Sequence, residues 1–150
     1  CLLEENKLST VKYTTTHEWI EVNDSEGTIG ITERALLIYG EIVYVDVSPE
    51  QECEQGEIIG RIETETGGNF YLYAPVAGEI YEVNDALEED VDVINVAPEG
   101  DGWICKIYID NLSELDSLLE LDDYETYEED AFNDSEYMSE TDFFENIDDY

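Results

Sequence analysis

A repeated start signal for short β-segments constrains the fold of this chain more than any other feature. Gly-Glu-Ile occurs at Gly40, Gly56 and Gly78, each time after turn-forming residues and before a run of strand-forming residues. Short strands separated by turn signals about every ten residues are typical of a small β-sandwich or barrel. The pattern therefore predicts a mainly β fold.

The stretch from residue 60 to 78 reads as a hairpin with an exposed tip. Two strand-like runs, ending near Ile62 and resuming near Asn69, flank the sequence Glu-Thr-Glu-Thr-Gly-Gly. Gly67 and Gly68 can take a positive φ without steric cost, which suits a tight turn. The hairpin tip is predicted to be the part of the molecule that is presented to partners.

The remaining elements follow from periodicity and capping signals. Trp19 and Ile20 are predicted core anchors of the first strand. The predicted order is a strand over 12–22, a strand over 28–31, a helix capped by Thr32 and ending at Gly40, a strand over 41–47, a polar connection over 48–56, a helical stretch within 82–92, a loop over 94–102, a strand over 103–109 and a helix from Ser113 to Leu121.

The charge of the chain excludes several kinds of partner. The formal net charge is −36, from 41 acidic residues against five basic ones, and 42% of the residues are hydrophobic. Because the basic residues are scattered, no basic patch can neutralise phosphates, and binding to nucleic acid or anionic membranes is not expected. No apolar run is long enough to span a bilayer.

Composition divides the 150 residues into three parts. Residues 1–11 form a leading segment without periodicity, residues 12–129 a folded domain, and residues 130–150 an acidic tail predicted to be disordered. Phe143 and Phe144 in the tail are candidate partner contacts; the alternative is a purely solvating extension.

The residue types needed for catalysis or metal binding are sparse. Cys1, Cys53 and Cys105 are far apart and form no C-x-x-C pair, so neither a disulfide framework nor a zinc site is predicted. His17 is the only histidine and is interpreted as a structural hydrogen-bonding residue. We therefore predict no catalytic residue and no metal site.

Six segments, in order and spacing, resemble one family: KYTTTHEW, GTIGITERAL, YGEIVYVDV, YAPVAGEIYEVND, NVAPEGDGWICKI and DDYETYEE. They look like the H protein of the glycine cleavage system. The resemblance implies a lipoyl/biotinyl-type barrel-sandwich hybrid of two small sheets with short helices and a C-terminal helix. It also implies a non-catalytic shuttle whose lipoyl arm visits glycine decarboxylase, aminomethyltransferase and dihydrolipoyl dehydrogenase, in the mitochondrial matrix of a eukaryote or the cytoplasm of a bacterium.

The sequence departs from this family at the hairpin tip. Counting forward from Glu63 places the family's lipoyl-lysine at Thr66, and counting backward from Pro75 places it at Gly67. Neither side chain carries the primary amine that an amide link to lipoate needs, so no lipoate is expected. Glu63 and Glu65 beside it are candidate partner contacts, with a solvated turn as the alternative.

Three functions remain open after this departure. The preferred one is a non-lipoylated interaction or regulatory module that keeps the shuttle fold. The second is a genuine lipoyl carrier of glycine decarboxylation. The third is a structural scaffold that binds partners through its acidic aromatic tail.

Overall fold

The computed structural model of the chain describes residues 10–126. The elements are β1 Thr10–Tyr13, β2 Glu18–Asn23, β3 Glu26–Ile31, α1 Glu33–Tyr39, β4 Ile42–Val47, β5 Gln51–Cys53, β6 Ile58–Thr64, β7 Asn69–Tyr73, β8 Gly78–Val83, α2 Ala86–Glu89, α3 Asp92–Val96, β9 Cys105–Ile109, a 3₁₀ helix Leu112–Ser117 and a last helix, α4, described over residues 121–126. The predicted tail, residues 130–150, and Cys1 lie outside the described residues.

The strands form two antiparallel sheets. One has six strands in the order β1-β2-β3-β9-β8-β5, and the other has three in the order β4-β6-β7. Fully buried apolar side chains from both sheets form one core. Burying such a side chain stabilises the fold by about 1.5–3 kcal/mol each relative to exposure. The mainly β class with two small sheets, short helices and a C-terminal helix is confirmed.

The predicted helix after β3 is confirmed together with both of its end signals. Thr32 precedes α1, and its Oγ1 accepts a hydrogen bond from the Ala35 N–H at 3.3 Å. Gly40 ends the helix with φ 101°, and its N–H bonds the Leu36 carbonyl. A left-handed backbone at this position favours glycine, because it has no Cβ. This sharp end directs the chain straight into β4.

The first predicted strand is wrong as a single element. Residues 12–22 are split between β1 and β2 by a turn, in which the Thr14 N–H bonds the Glu18 carbonyl at 3.0 Å. His17 sits in this turn with φ 73°. The β-branched threonines favour a strand by propensity, but their hydroxyls bind the Glu18 side chain and close the turn instead. Trp19 and Ile20 are confirmed as core residues, with exposed fractions of 4% and 0%.

Two further stretches differ from the sequence prediction. The polar connection over 48–56 contains β5, which pairs with β8 as a short edge strand. The predicted loop over 94–102 begins inside α3, because Ile94 is drawn fully into the core. Asn84 fixes this region: its side-chain amide donates to the carbonyls of Asp101 and Trp103 at 3.0 and 2.8 Å.

The C-terminal helix does not run from Ser113 to Leu121. A 3₁₀ helix ends at Ser117, and Leu119 then lies extended and exchanges two 2.8 Å backbone hydrogen bonds with Tyr13. The helix α4 starts only at residue 121. The leucine spacing suggested one amphipathic helix, but pairing with β1 satisfies the backbone at Leu119 in a way that a helix cannot.

Both described cysteines are buried. Cys53 and Cys105 expose 7% and 0% of their surface and form no disulfide. Burial raises the pKa of the Cys53 thiol to about 11, and it also raises the pKa of the Cys105 thiol. Both therefore behave as small hydrophobic residues with unreactive thiols.

Candidate functional site

The tip of the β6–β7 hairpin is closed by a tight, hydrogen-bonded turn. The last paired residues of the ladder are Glu63 and Asn69. The Gly67 N–H donates to the Thr64 carbonyl and the Thr64 N–H donates to the Gly68 carbonyl, both at 3.0 Å. Gly67 takes φ 93°, whereas Gly68 is not in the left-handed region. Residues 65–69 are all exposed, so the hairpin presents its apex to solvent.

The base of the tip is held rigidly against the start of β4. Thr64 is buried, and its Oγ1 bonds both the Thr66 hydroxyl at 3.0 Å and the Gly68 carbonyl at 3.3 Å. The Glu65 N–H donates to the Glu41 carbonyl at 2.9 Å. These bonds fix the apex relative to the end of α1, which makes it a presented surface with a defined orientation.

The structure places the predicted tip residues together on this hairpin. Thr66 and Gly67 lie at the exposed apex. Glu63 lies in β6, three residues before Thr66, and accepts a hydrogen bond from the Arg61 guanidinium at 2.5 Å, which raises the pKa of the arginine. Glu65 is exposed beside Thr66. The other two predicted contacts, Phe143 and Phe144, lie outside the described residues.

The two lysines within the described residues lie away from the tip. Lys7 lies outside the described residues, Lys12 is on β1 and Lys106 is on β9. The Lys12 ammonium bonds the Glu120 carboxylate at 2.8 Å, and the Lys106 ammonium lies 4.9 Å from the centroid of the Trp103 ring. Both of these strands belong to the six-stranded sheet, whereas the hairpin belongs to the other sheet. Neither of these two ammonium groups is therefore part of the hairpin.

Glu18 is the functional candidate that sequence reasoning missed. Its carboxylate is buried, with an exposed fraction of 1%. One oxygen accepts hydrogen bonds from the Thr14 and Thr16 hydroxyls, both at 2.5 Å, and the other accepts from the Tyr73 N–H at 3.0 Å. An acidic residue directly before a core tryptophan was the available signal, because acidic side chains are almost never fully buried unless they are paired.

Burial changes the chemistry of this carboxyl group. Loss of solvent raises the pKa of Glu18 to about 7, against the lowering effect of its three hydrogen-bond donors. The loss of hydration of the charged carboxylate has a larger effect on its pKa than the three hydrogen bonds that stabilise that charge. Glu18 thus gains or loses its proton near neutral pH, which is unusual for a carboxylic acid.

Glu18 lines a cleft of about 470 Å³ between the two sheets. The walls include residues 14–16 of the turn, residues 73–75 at the end of β7, and residues 117–119, which begin at the last residue of the 3₁₀ helix. The cleft and the hairpin tip lie at opposite ends of β7, roughly 15–20 Å apart at about 3.3 Å per strand residue. A single strand therefore connects the two candidate sites.

A chain of hydrogen bonds supports the turn that carries Glu18. His17 Nδ1 lies 2.7 Å from the Tyr124 hydroxyl, which lies 2.8 Å from Thr32 Oγ1. The Tyr124 ring stacks on Tyr13 with centroids 5.0 Å apart. The hydrogen bonding predicted for His17 is observed: its ring bonds Tyr124 of α4, and its carbonyl accepts from the Thr32 N–H at 3.0 Å.

Comparison with known proteins identifies the family. The model of the family described as glycine cleavage H-protein matches residues 11–131. The chain belongs to the glycine cleavage H-protein family. A glycine cleavage system H protein of Thermotoga maritima is 41% identical over 118 residues, covering 77% of this chain and 94% of that protein. One of Bacteroides fragilis is 43% identical over 116 residues, covering 76% and 90%.

A solved structure agrees with this assignment. The crystal structure of a glycine cleavage system H protein from Mycobacterium marinum superposes with a TM-score of 0.66 at 29% identity, covering 76% of this chain and 92% of that one. H proteins are non-catalytic, lipoate-carrying subunits of the multienzyme glycine cleavage system, in which they work with glycine decarboxylase, aminomethyltransferase and lipoamide dehydrogenase. The chain is accordingly a carrier-type subunit and not an enzyme.

Within residues 10–126, no helix has the length and apolarity needed to cross a membrane.

Proposed function

We propose that this chain is a non-lipoylated H-protein-like module that docks on enzymes of the glycine cleavage system and regulates or organises them. The observation that carries the proposal is the composition of the hairpin tip. Residues 63–69 present carboxylates, hydroxyls, glycines and an amide, but no primary amine. Attachment of lipoate through an amide requires such an amine on a flexible stem.

The docking part of the proposal rests on the way the tip is held. Its turn is closed by hydrogen bonds at Thr64, and Glu65 is tied to Glu41. An enzyme that recognises the shape of an H-protein hairpin would meet an ordered surface here, without an arm entering its active site. Glycine decarboxylase, aminomethyltransferase and dihydrolipoyl dehydrogenase are the partners we propose, with Glu63 and Glu65 among the contacts.

Intact mass spectrometry tests the lipoylation step. The full chain is incubated with a lipoate-protein ligase, ATP and lipoate, beside the variants Thr66→Lys and Gly67→Lys. We expect the native chain to keep its mass and Thr66→Lys to gain one lipoyl group, because residue 66 is exposed at the apex. Gly67→Lys should react less well, since a side chain at φ 93° strains the turn.

The native chain gaining a lipoyl group would overturn the proposal and make it a genuine carrier that uses another lysine. The Lys7→Arg, Lys12→Arg and Lys106→Arg variants would then identify the residue, because arginine keeps the charge but does not form this amide.

A competition assay tests the regulatory role. A glycine cleavage system with its own lipoylated H protein is titrated with the native chain, and glycine decarboxylation is measured. We expect inhibition that is relieved by more lipoylated H protein, because both proteins would occupy one docking surface. Absence of inhibition at a large excess would contradict this role.

In this proposal residues 12–129 dock, and residues 130–150 are an acidic extension. A chain that ends at residue 129 should therefore inhibit as the full chain does. Loss of inhibition after this truncation would instead favour a scaffold that binds through its tail.

A further inference from the structure

The strand β4 lies at an open edge of the three-stranded sheet. The hydrogen bond from the Thr64 N–H to the Gly68 carbonyl shows that the main-chain N–H and carbonyl of Thr64 point toward β7. Because these groups point to the same side at every second residue of a strand, those of Ile62 also point toward β7. Its register partner on β4, Val45, therefore directs its N–H and carbonyl away from β6, and Val47 does the same two residues later. These main-chain groups face an open side of the sheet.

The first residue of the edge shows how such groups are satisfied. The Ile42 N–H donates to Asn95 Oδ1 at 2.8 Å, and Asn95 Nδ2 donates to the Ile42 carbonyl at 3.0 Å. The side-chain amide of Asn95 thus bonds Ile42 as a residue of a neighbouring strand would. Beyond Ile42, no hydrogen bond within residues 10–126 reaches Val45 or Val47 from outside the β4–β6 ladder.

A groove of about 690 Å³ runs along this edge, and we call it the β4 groove. One wall is β4 and the other is formed by residues 83–91. Its apolar lining consists of partly buried residues that pack on the core: Val45, Val47, Val83, Leu87 and Val91. Its rim carries the exposed acidic side chains of Asp46, Glu88, Glu89 and Asp90.

We propose that the β4 groove binds an extended, basic segment of a partner protein, which adds a strand to the sheet. An edge with unpaired N–H and carbonyl groups is a template for another strand, and strand addition obtains affinity from main-chain hydrogen bonds. Alternate side chains of an added strand would be apolar against Leu87 and Val91, and the others would be lysine or arginine against the acidic rim. Opposite charges across an interface select the partner and speed its association.

Charge complementarity favours a basic partner segment over a second copy of the chain and over the stretch from residue 130 to 150. A second copy pairing β4 with β4 would bring two acidic rims together, and like charges facing each other are unfavourable. The stretch over 130–150 has no basic residue and many acidic ones, so the same repulsion opposes it. A basic segment is the occupant that the rim attracts.

The test uses the full chain and a capped heptapeptide of alternating lysine and valine. Binding is measured by fluorescence anisotropy, and amide hydrogen exchange by NMR. We expect the peptide to protect the amides of Val45 and Val47 from exchange. Because the full chain is strongly acidic, a matched pair of variants separates the groove from general attraction.

The double variant Glu88→Lys/Glu89→Lys reverses two charges on the rim of the groove. The control, Glu52→Lys/Glu79→Lys, reverses two charges away from the groove, on residues that are register partners on β5 and β8. We expect at least about a tenfold loss of affinity in the first variant and less than about threefold in the second. Val45→Pro, which removes the outward N–H, should abolish protection at Val47.

Equal losses in the two charge variants would overturn the proposal, as would protection on the edges formed by β1, β5 or β7. It would also fail if Val45 and Val47 were already protected in the free chain. If the protection of these amides in the free chain did not depend on protein concentration, another segment of this chain would occupy the groove. If the protection rose with protein concentration, a second copy of the chain would occupy it. No lipoate or ligase enters these measurements, so their outcome is independent of the proposed function.

Discussion

Replacing Glu18 by glutamine should remove a large part of the pH dependence of folding stability. The folded chain holds the pKa of this carboxyl at about 7, whereas the ordinary value is 4.5. A group with a raised folded pKa contributes stability that is fully present below the unfolded value and is lost as the pH rises through the folded one. At 1.36 kcal/mol per pKa unit, burial of the charged form costs about 3 kcal/mol above pH 7.

The structure indicates that glutamine is tolerated at this position. Its carbonyl can accept from the Tyr73 N–H, and its amide can donate to the Thr14 and Thr16 hydroxyls, which can act as acceptors. The free energy of unfolding is measured by urea titration between pH 5 and 8 for the native chain and Glu18→Gln. The difference between the two should change by about 2–3 kcal/mol over this range, with the variant gaining relative to the native chain as the pH rises.

An exposed carboxylate provides the matched control. Glu79→Gln removes one charge from the outside of β8, and its stability curve should run parallel to that of the native chain. Parallel curves for Glu18→Gln as well would refute the reasoning. They would mean that the three donors stabilise the buried carboxylate as fully as water does, so that its pKa in the folded chain stays near the value in the unfolded chain.

Three further substitutions test how the fold is held around the two sites. Gly102→Ala should destabilise the chain by at least about 2 kcal/mol in the urea titration, because its Cβ would lie 2.6 Å from the Val93 carbonyl oxygen and 2.7 Å from that of Ala97. Gly100→Ala is the control: its Cβ would have its nearest contact at 3.8 Å, so the free energy of unfolding should be almost unchanged. Tyr124→Phe removes the hydroxyl between His17 and Thr32 and should lower stability by about 1–2 kcal/mol, whereas Tyr108→Phe, on a half-exposed ring, should leave the melting temperature unchanged. Asn95→Ala leaves both main-chain groups of buried Ile42 without their partner and should cost about 1–3 kcal/mol; a melting temperature equal to that of the native chain would contradict the role given to this amide.

Local signals predicted the elements whose ends are set by nearby residues. The Thr32 cap and the Gly40 stop bound α1 as predicted, because both act through bonds within one turn of the helix. The hairpin tip was also predictable, since only a few residue types tolerate the left-handed backbone found at Gly67.

Long-range contacts decided the elements that sequence reasoning placed wrongly. The leucine-rich stretch after Ser113 is divided because Leu119 pairs with Tyr13, more than a hundred residues earlier in the chain. Likewise, β5 forms because β8 offers it a partner, and its polar sequence carries little signal of its own. Such choices depend on which partner strand is nearby in space.

By itself, the sequence determined the family-defining motifs, the turn chemistry of the hairpin and the absence of an amine from its tip, because each is a property of residue identity. Only the tertiary structure decided that Glu18 is buried, since its donors come both from the adjoining turn and from Tyr73 on the other sheet. The same holds for the β4 groove, whose walls are about forty residues apart in the chain and lie side by side in the fold, where Asn95 of α3 bonds Ile42. Charge and turn propensity are local quantities, whereas desolvation and an open sheet edge arise from packing.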